Sequence, residues 1–224
     1  MDNTKEAVEK FTKGEELANA LSHLAGALLS VAALVLMVVY SSRVGNAWHV
    51  VSTAIFGATL IILYLSSMFT HWLPAGRTKE FFFTMDQIAI FMLIAGTYTP
   101  LALISLHGPL GWVIFGIEWG LALTGIIIKL MRPVKYAAGV SLFYIILYVS
   151  MGWLVLVALV PLIKTLPVMG WLWIIIGGVC YSIGIYFFRV AKFRYAHLIW
   201  HLFVLAGSIS HFMAVFFYII DIKI

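Results

Sequence analysis

Three histidines in two distant parts of the chain have the residue type and spacing to bind a metal ion. His197 and His201 are four residues apart, so on a helix both imidazoles lie on one face and can share an ion. His71 ends another apolar segment, and we expect it at the same depth as this pair. Zinc suits three nitrogen ligands and keeps a fourth position for water, while nickel, copper and iron accept the same ligand type.

A carboxylate and a hydroxyl are expected beside these histidines. Asp86 lies at the start of a further apolar segment, where it could orient a water molecule or accept its proton as a general base. Ser67 is four residues before His71, so it shares the same helix face and could hydrogen-bond water or an oxyanion. Zinc lowers the pKa of the water it binds to about 7, and this set of residues therefore suits hydrolysis.

Each of these residues also has a purely structural interpretation. A histidine near a helix end commonly lies at the membrane interface or caps the helix. Asp86, near a helix N-terminus, would be stabilised by the helix dipole. Ser67 could bond a backbone carbonyl of its own helix. Ionisable groups are costly inside a membrane. Polar groups from four segments, with His23 from the first span as the fourth, are expected at one depth and favour the metal site.

The segments that carry these residues are long and apolar, as in a polytopic membrane protein. Hydrophobic residues make up 63% of the 224 residues and charged residues 10%, which is far from the balance of a soluble domain. About 20 apolar residues cross the hydrocarbon core as a helix. We predict an all-α bundle of seven transmembrane helices, at residues 20–42, 47–70, 82–106, 110–131, 135–160, 168–189 and 196–220.

Positive charges predict how this bundle is oriented. Of the 14 Lys and Arg residues, eleven fall on the side that holds the N-terminus and three on the other side. The N-terminus is therefore predicted to be cytoplasmic and the C-terminus outside. We divide the chain into a cytoplasmic N-terminal segment, 1–18, and a seven-transmembrane helix domain, 19–224. The net charge of +5 is interpreted as topology anchors in short loops and not as a nucleic-acid surface.

Other polar residues have no evident role in the predicted spans. Glu118 is isolated in the fourth span, either protonated or paired with a neighbour that the sequence does not identify. His211 lies ~15 Å further along the seventh span than His201, too far to join the same site, and is interpreted as a buried polar contact.

The run into the first span leaves two interpretations open. Glu16, Asn19 and His23 recur at helical spacing, so they either brace the site from the first helix or form an ordinary interfacial face. Small residues such as Gly116 and Gly120 let helices approach closely. We expect these glycines to pack within the chain, with a homo-oligomer as the alternative.

Short motifs follow one another from residue 16 to residue 212. They are Glu16-x2-Asn19-x2-Ser22-His23, Ser67-x3-His71, Asp86 followed by Gly96-Thr97-Tyr98-Thr99-Pro100, and His197-x2-Trp200-His201 with Gly207 and His211-Phe212. As an ordered set they resemble the hemolysin III family, the bacterial branch of the progestin and adipoQ receptors, which is similar to alkaline ceramidases within a superfamily of membrane hydrolases. The resemblance implies a multi-pass protein of the bacterial inner membrane. It also implies zinc held by His71, His197 and His201, with Asp86 and Ser67 near the water on the metal.

These observations favour a zinc-dependent intramembrane hydrolase of a lipid amide or ester bond that acts in membrane lipid homeostasis. An alternative is a sensor or receptor-like regulator of the membrane, in which zinc only joins the second and seventh spans. A cytolytic pore, as the family name suggests, has little support, because pore-forming proteins are usually soluble before they reach their target. Membrane lipids, or a lipid-like substrate or ligand, are the expected partners.

Overall fold

The computed structural model describes residues 11–132 and 139–224. Within these two parts, seven helical spans are long and apolar enough to cross a membrane, which confirms the predicted all-α bundle. The side of the membrane on which each terminus lies remains a prediction. The α-helices are α1 (Lys13–Val44), α2 (Ala47–Trp72), α3 (Arg77–Pro100), α4 (Pro109–Met131), α5 (Leu142–Gly152), α6 (Leu159–Thr165), α7 (Val168–Arg189) and α8 (Ala196–Ala214).

Several spans depart from regular α-helix. Helix α3 continues beyond Pro100 as a π-helical segment, Leu101–Ser105, and α8 continues as a second one, Val215–Ile219. Helices α5 and α6 join through a short 3₁₀ segment, Leu154–Ala158, into a single span. Segments of this kind are tolerated in membranes where other groups of the protein satisfy the backbone.

Helix α1 begins at Lys13, seven residues before the predicted first span. The Thr12 hydroxyl accepts a hydrogen bond from the Glu15 N–H, and the Glu15 carboxylate accepts one from the Thr12 N–H. This capping box starts the helix in a polar turn that hydrophobicity alone does not reveal. The division of the chain at residue 18 remains a prediction, and residues 1–10 lie outside the described residues.

The fifth span runs from Leu142 to Thr165 instead of ending at residue 160. Pro161, the residue after the predicted end of the span, does not end it but is the third residue of α6. Proline fits there because the first turn of a helix needs no donor from that position. Where this span changes its helical form, the Tyr98 hydroxyl donates to the Gly152 carbonyl over 2.9 Å and accepts from the Val155 N–H over 2.6 Å.

A close approach of α1 to α2 sets the position of α1, the helix whose first turns lie beside the site. A Cβ added at Gly26 of α1 would lie 2.4 Å from Cδ1 of Tyr64, so only glycine allows this contact. The Tyr64 hydroxyl donates to Ser208 Oγ over 2.8 Å, and its ring packs edge-on against His23. One tyrosine thus joins α1, α2 and α8.

The packing predicted at Gly116 and Gly120 is not found. Both residues lie on an exposed face of α4, where an added Cβ meets no atom of the described chain within 4 Å. The face is outward because Glu118, between the two glycines, turns into the bundle. A homo-oligomer remains a prediction.

Candidate metal centre

His71 of α2 meets His197 and His201 of α8 at the end of the bundle where α1 begins. One ring nitrogen from each residue lies within 4.8 Å of the other two. The ring centroids are 5.1, 5.0 and 4.6 Å apart. Imidazoles that share a tetrahedral ion at metal–nitrogen distances of ~2.0–2.1 Å have centroids roughly 5 Å apart. The predicted residues therefore form a cluster that is compatible with a metal ion.

Glu16 orients the ring of His71. The His71 Nδ1–H donates to Glu16 Oε2 over 2.6 Å, and Lys79 Nζ donates to Glu16 Oε1 over 2.7 Å. A carboxylate on Nδ1 directs Nε2 to the metal and makes it a stronger ligand. Of the two interpretations of this part of α1, the structure supports the one in which Glu16 braces the site.

Ser22 and Asn19 orient the ring of His201 in the same way. The Ser22 hydroxyl donates its proton to the Asn19 carbonyl over 2.7 Å. Ser22 Oγ therefore acts as the acceptor for the His201 Nδ1–H, 3.0 Å away, and the Asn19 carbonyl lies 3.3 Å from the same nitrogen. This arrangement leaves Nε2 of His201 as the atom for a metal.

The start of α8 is tied to the first turn of α1. Tyr195, just before α8, has a left-handed backbone with φ of 65°, which is uncommon for a residue other than glycine. Its N–H donates to Glu15 Oε1 over 3.0 Å. This bond holds the chain where His197 enters the cluster. The sequence contains the Glu15 carboxylate, but only the folded chain shows what it binds.

Asp86 and Ser67 line the same cavity as the three histidines. Ser67 is buried and lies near the Asp86 carboxyl, while Asp86 itself is half-buried. The structure therefore brings together all five residues singled out in the sequence. Their proposed roles as ligands, proton acceptor and hydrogen-bond donor remain predictions.

The cavity has a volume of about 180 Å³ and extends well beyond the histidines. Along the seventh span its lining runs from His197 to Ile219, which is ~33 Å of helix. Most of the lining away from the histidines is apolar. The residues that make it so include Leu63, Ile90, Leu93, Ile94, Leu101, Val204, Val215 and Ile219.

Two lysines have surroundings that the sequence analysis did not anticipate. Lys79 and Lys129 are among the eleven basic residues that the sequence places, as topology anchors, on the side that holds the N-terminus. In the structure both lysines are buried. Lys129 donates to Gln87 Oε1, and its ammonium group lies 4.5 Å from the ring centroid of Tyr144. The available signal was position, because Lys129 lies within the predicted fourth span and not in a loop.

Two more polar residues inside the bundle lie away from the cluster. His211 is buried, lines the cavity further along α8 and stacks on Tyr181 with ring centroids 5.6 Å apart. Glu118 is fully buried, and neither of its carboxyl oxygens has a hydrogen-bond partner among the described residues. His211 is buried as expected, but the contact found is an aromatic stack and not the polar contact expected from the sequence.

Loss of the Glu16 carboxylate charge is expected to weaken metal binding. In Glu16→Gln the hydrogen bond that orients His71 loses its charge, so we expect affinity for zinc to fall about 10–100-fold. Competition of the purified protein with a zinc-binding dye measures this affinity. Asp221→Asn is the matched control and should retain full affinity for zinc. It changes a carboxylate that accepts a hydrogen bond from the Tyr40 hydroxyl. Equal affinity in both variants would contradict the role of Glu16.

The fold and the cluster define a class: polytopic helical membrane proteins with a histidine cluster inside the bundle. Residues 11–212 match the sequence model of a family described as Haemolysin-III related. The chain is 42% identical to Hemolysin-3 of Bacillus cereus over 94% of each chain. It is 41% identical to the Hemolysin-3 homolog of Bacillus subtilis (strain 168), over 95% of this chain and 98% of that one.

A more distant relative is the human Monocyte to macrophage differentiation factor, 30% identical over 94% of this chain and 87% of that one. The chain therefore belongs to the Haemolysin-III related family, which confirms the resemblance drawn from its motifs. It is a multi-pass protein of the bacterial inner membrane.

Proposed function

We propose that this protein is a zinc-dependent intramembrane hydrolase that cleaves an amide or ester bond of a membrane lipid. The observation that supports it most is the meeting of His71, His197 and His201 beside Asp86 in one cavity. Three histidines, one carboxylate and one hydroxyl are the groups that metal-assisted hydrolysis needs. Such an enzyme would act on the composition of its own membrane.

The roles of the side chains follow from their chemistry. Zinc held by the three histidines would polarise a scissile carbonyl and make water a usable nucleophile near neutral pH. Asp86 accepts the proton of the attacking water on a carboxylate oxygen and passes it to the leaving nitrogen or oxygen. Ser67, which lies near the Asp86 carboxyl, would hold it in position through a hydrogen bond.

The shape of the cavity suits a lipid with its polar end at the histidines. The apolar lining along α3, α7 and α8 would take an acyl chain, because burial of its methylene groups is favourable. Phe11 packs against His197, with ring centroids 4.8 Å apart, and thus helps to close off the polar end. A closed site limits the access of bulk water to the reacting groups.

A direct assay tests this function. Zinc-loaded protein is incubated with micelles of ceramides or phospholipids that carry a labelled acyl chain, and released fatty acid is measured by mass spectrometry. We expect release that stops when a chelator removes zinc and resumes when zinc is added back. Protein with one zinc per chain that releases no fatty acid from either lipid class would contradict the proposal.

A regulator with a structural zinc is the second candidate. The ligands come from α2 and α8, which are far apart in sequence, so an ion bound by them would join the two helices. A sensor of the membrane could use such a junction without any turnover. A fall in thermal stability on zinc removal, without lipid hydrolysis under any condition of the assay, would favour this candidate.

A membrane-lysing protein is the third candidate. It is favoured by the names of two relatives, Hemolysin-3 and the Hemolysin-3 homolog. Leakage of liposomes at low protein density, retained in a His201→Ala variant, would support it over a hydrolase. Leakage that requires the histidine would instead connect lysis with the chemistry of the site.

A further inference from the structure

His23 is a buried histidine that the hydrolase chemistry above does not use. It lies on α1 with 3% of its surface exposed and lines the cavity that contains the three-histidine cluster. Neither of its ring nitrogens has a hydrogen-bond partner among the described residues. A buried polar group without a partner is costly, and His23 has two such atoms side by side. Both ring nitrogens are therefore available to a polar group that enters the cavity.

The geometry argues against His23 as a fourth ligand of the same ion. Its ring centroid is only 3.7 Å from that of His201, and the two rings are tilted by 35°. Imidazoles on one tetrahedral ion have centroids roughly 5 Å apart, as the other three histidines do. His23 instead stacks on a ligand ring and packs against the edge of Tyr64. It is held in place with its nitrogens unused.

A neutral imidazole offers one donor and one acceptor. We propose that His23 binds the polar group next to the scissile carbonyl of the lipid, and that this group carries a hydrogen-bond donor. An amide N–H or a hydroxyl qualifies, whereas a simple ester offers only acceptors. The inference rests on the proposed lipid hydrolase, whose substrate it narrows to lipids with such a donor.

A second unpartnered group continues the polar surface of α1. Asn19 is four residues before His23 on the same helix face and is 1% exposed. Both polar atoms of its side-chain amide lack a partner among the described residues, while its backbone carbonyl faces Ser22 and His201. Asn19 is not among the residues that line the cavity, so the polar contact with the lipid is assigned to His23 alone.

Equilibrium binding of two matched probes tests the proposal without turnover. The probes are tritium-labelled N-butylhexadecanamide and butyl hexadecanoate, which differ in the donor that the amide carries and the ester lacks. All proteins are zinc-loaded and carry Asp86→Asn, so that neither probe is cleaved. The reference protein carries Asp86→Asn alone, and we expect it to bind the amide more tightly than the ester. Addition of His23→Phe should weaken amide binding about tenfold and leave ester binding unchanged.

Further variants keep the result interpretable. His23→Gln retains a donor and an acceptor and is expected to retain the preference for the amide. His107→Phe changes an exposed histidine outside the cavity and should alter neither affinity. If His23→Phe does not fold, His23→Leu serves instead, and the preference of the reference protein is read independently of either variant.

Three results would overturn the proposal. The first is equal affinity of the reference protein for the two probes. The second is an equal loss of affinity for both probes in His23→Phe, and the third is loss of zinc from that variant. Because binding is measured without cleavage, a protein that proves not to be a hydrolase still gives a clear answer about His23. Conversely, active hydrolysis with no effect of His23 on binding would overturn this inference alone.

Discussion

Purified protein is expected to contain about one zinc per chain, and the His197→Ala/His201→Ala double variant almost none. The double variant removes two of the three nitrogens that lie within 4.8 Å of one another, and one remaining imidazole does not hold the ion. Elemental mass spectrometry of detergent-purified protein measures the content directly. Because metal binding contributes to folding stability, the variant should also melt at a lower temperature and no longer respond to a chelator.

His211→Ala is the matched control for this loss. It removes a buried histidine from the same helix, ten residues beyond His201 and ~15 Å away along the axis. We expect it to retain a full complement of zinc. Wild-type protein that binds no metal after zinc is supplied would contradict the metal site and, with it, the hydrolase.

Asp86→Asn is expected to lower the rate of lipid hydrolysis by about 10²–10⁴-fold and to leave zinc content unchanged. Asparagine has nearly the shape of aspartate but cannot accept a proton, so binding of the lipid should be preserved while the rate falls. Fatty-acid release at saturating lipid, measured beside zinc content, separates the two effects. The same assay on Ser67→Ala should show a smaller loss, since this change removes only the hydroxyl that would position Asp86.

Two outcomes would reassign Asp86. Loss of zinc in Asp86→Asn would make the carboxylate a metal ligand, although the donor group within 4.8 Å consists of the three histidines. Unchanged hydrolysis with zinc retained would make it a structural polar group inside α3. The helix-end charge that the sequence left open is excluded, because Asp86 lies nine residues after Arg77, where α3 begins. Either result would differ from the role of proton acceptor that the hydrolase proposal gives to Asp86.

The sequence predicted the membrane architecture because hydrocarbon imposes a simple rule on each segment. A helix that crosses it must be long and apolar, and this requirement is visible without any knowledge of the neighbouring helices. The span at Val168–Arg189 agrees with its prediction at both ends. The errors occurred where local chemistry replaced hydrophobicity, as in the capping box that begins α1 at Lys13 and the first-turn Pro161 of α6.

The site was predictable for a related reason. Helical spacing places His197 and His201 on one face, and the order of the spans places His71 and Asp86 near them in depth. The position of a residue along its span indicates its depth in the membrane, and this can be read from the sequence for every span. The five predicted residues line one cavity in the structure, in agreement with their shared depth.

Tertiary structure alone decided which side chains support these five residues. Glu16, Lys79 and Ser22 act through contacts between helices, and their partners depend on how α1 rotates against α2 and α8. The same rotation buries His23 against His201 with both nitrogens unpartnered. The sequence by itself therefore determined the seven spans and the depth of the metal-binding groups, because hydrophobicity and helical period are local properties. The orientation of the three histidine rings and the burial of His23 were set by packing, because a contact between helices requires both partners at their final angle and distance.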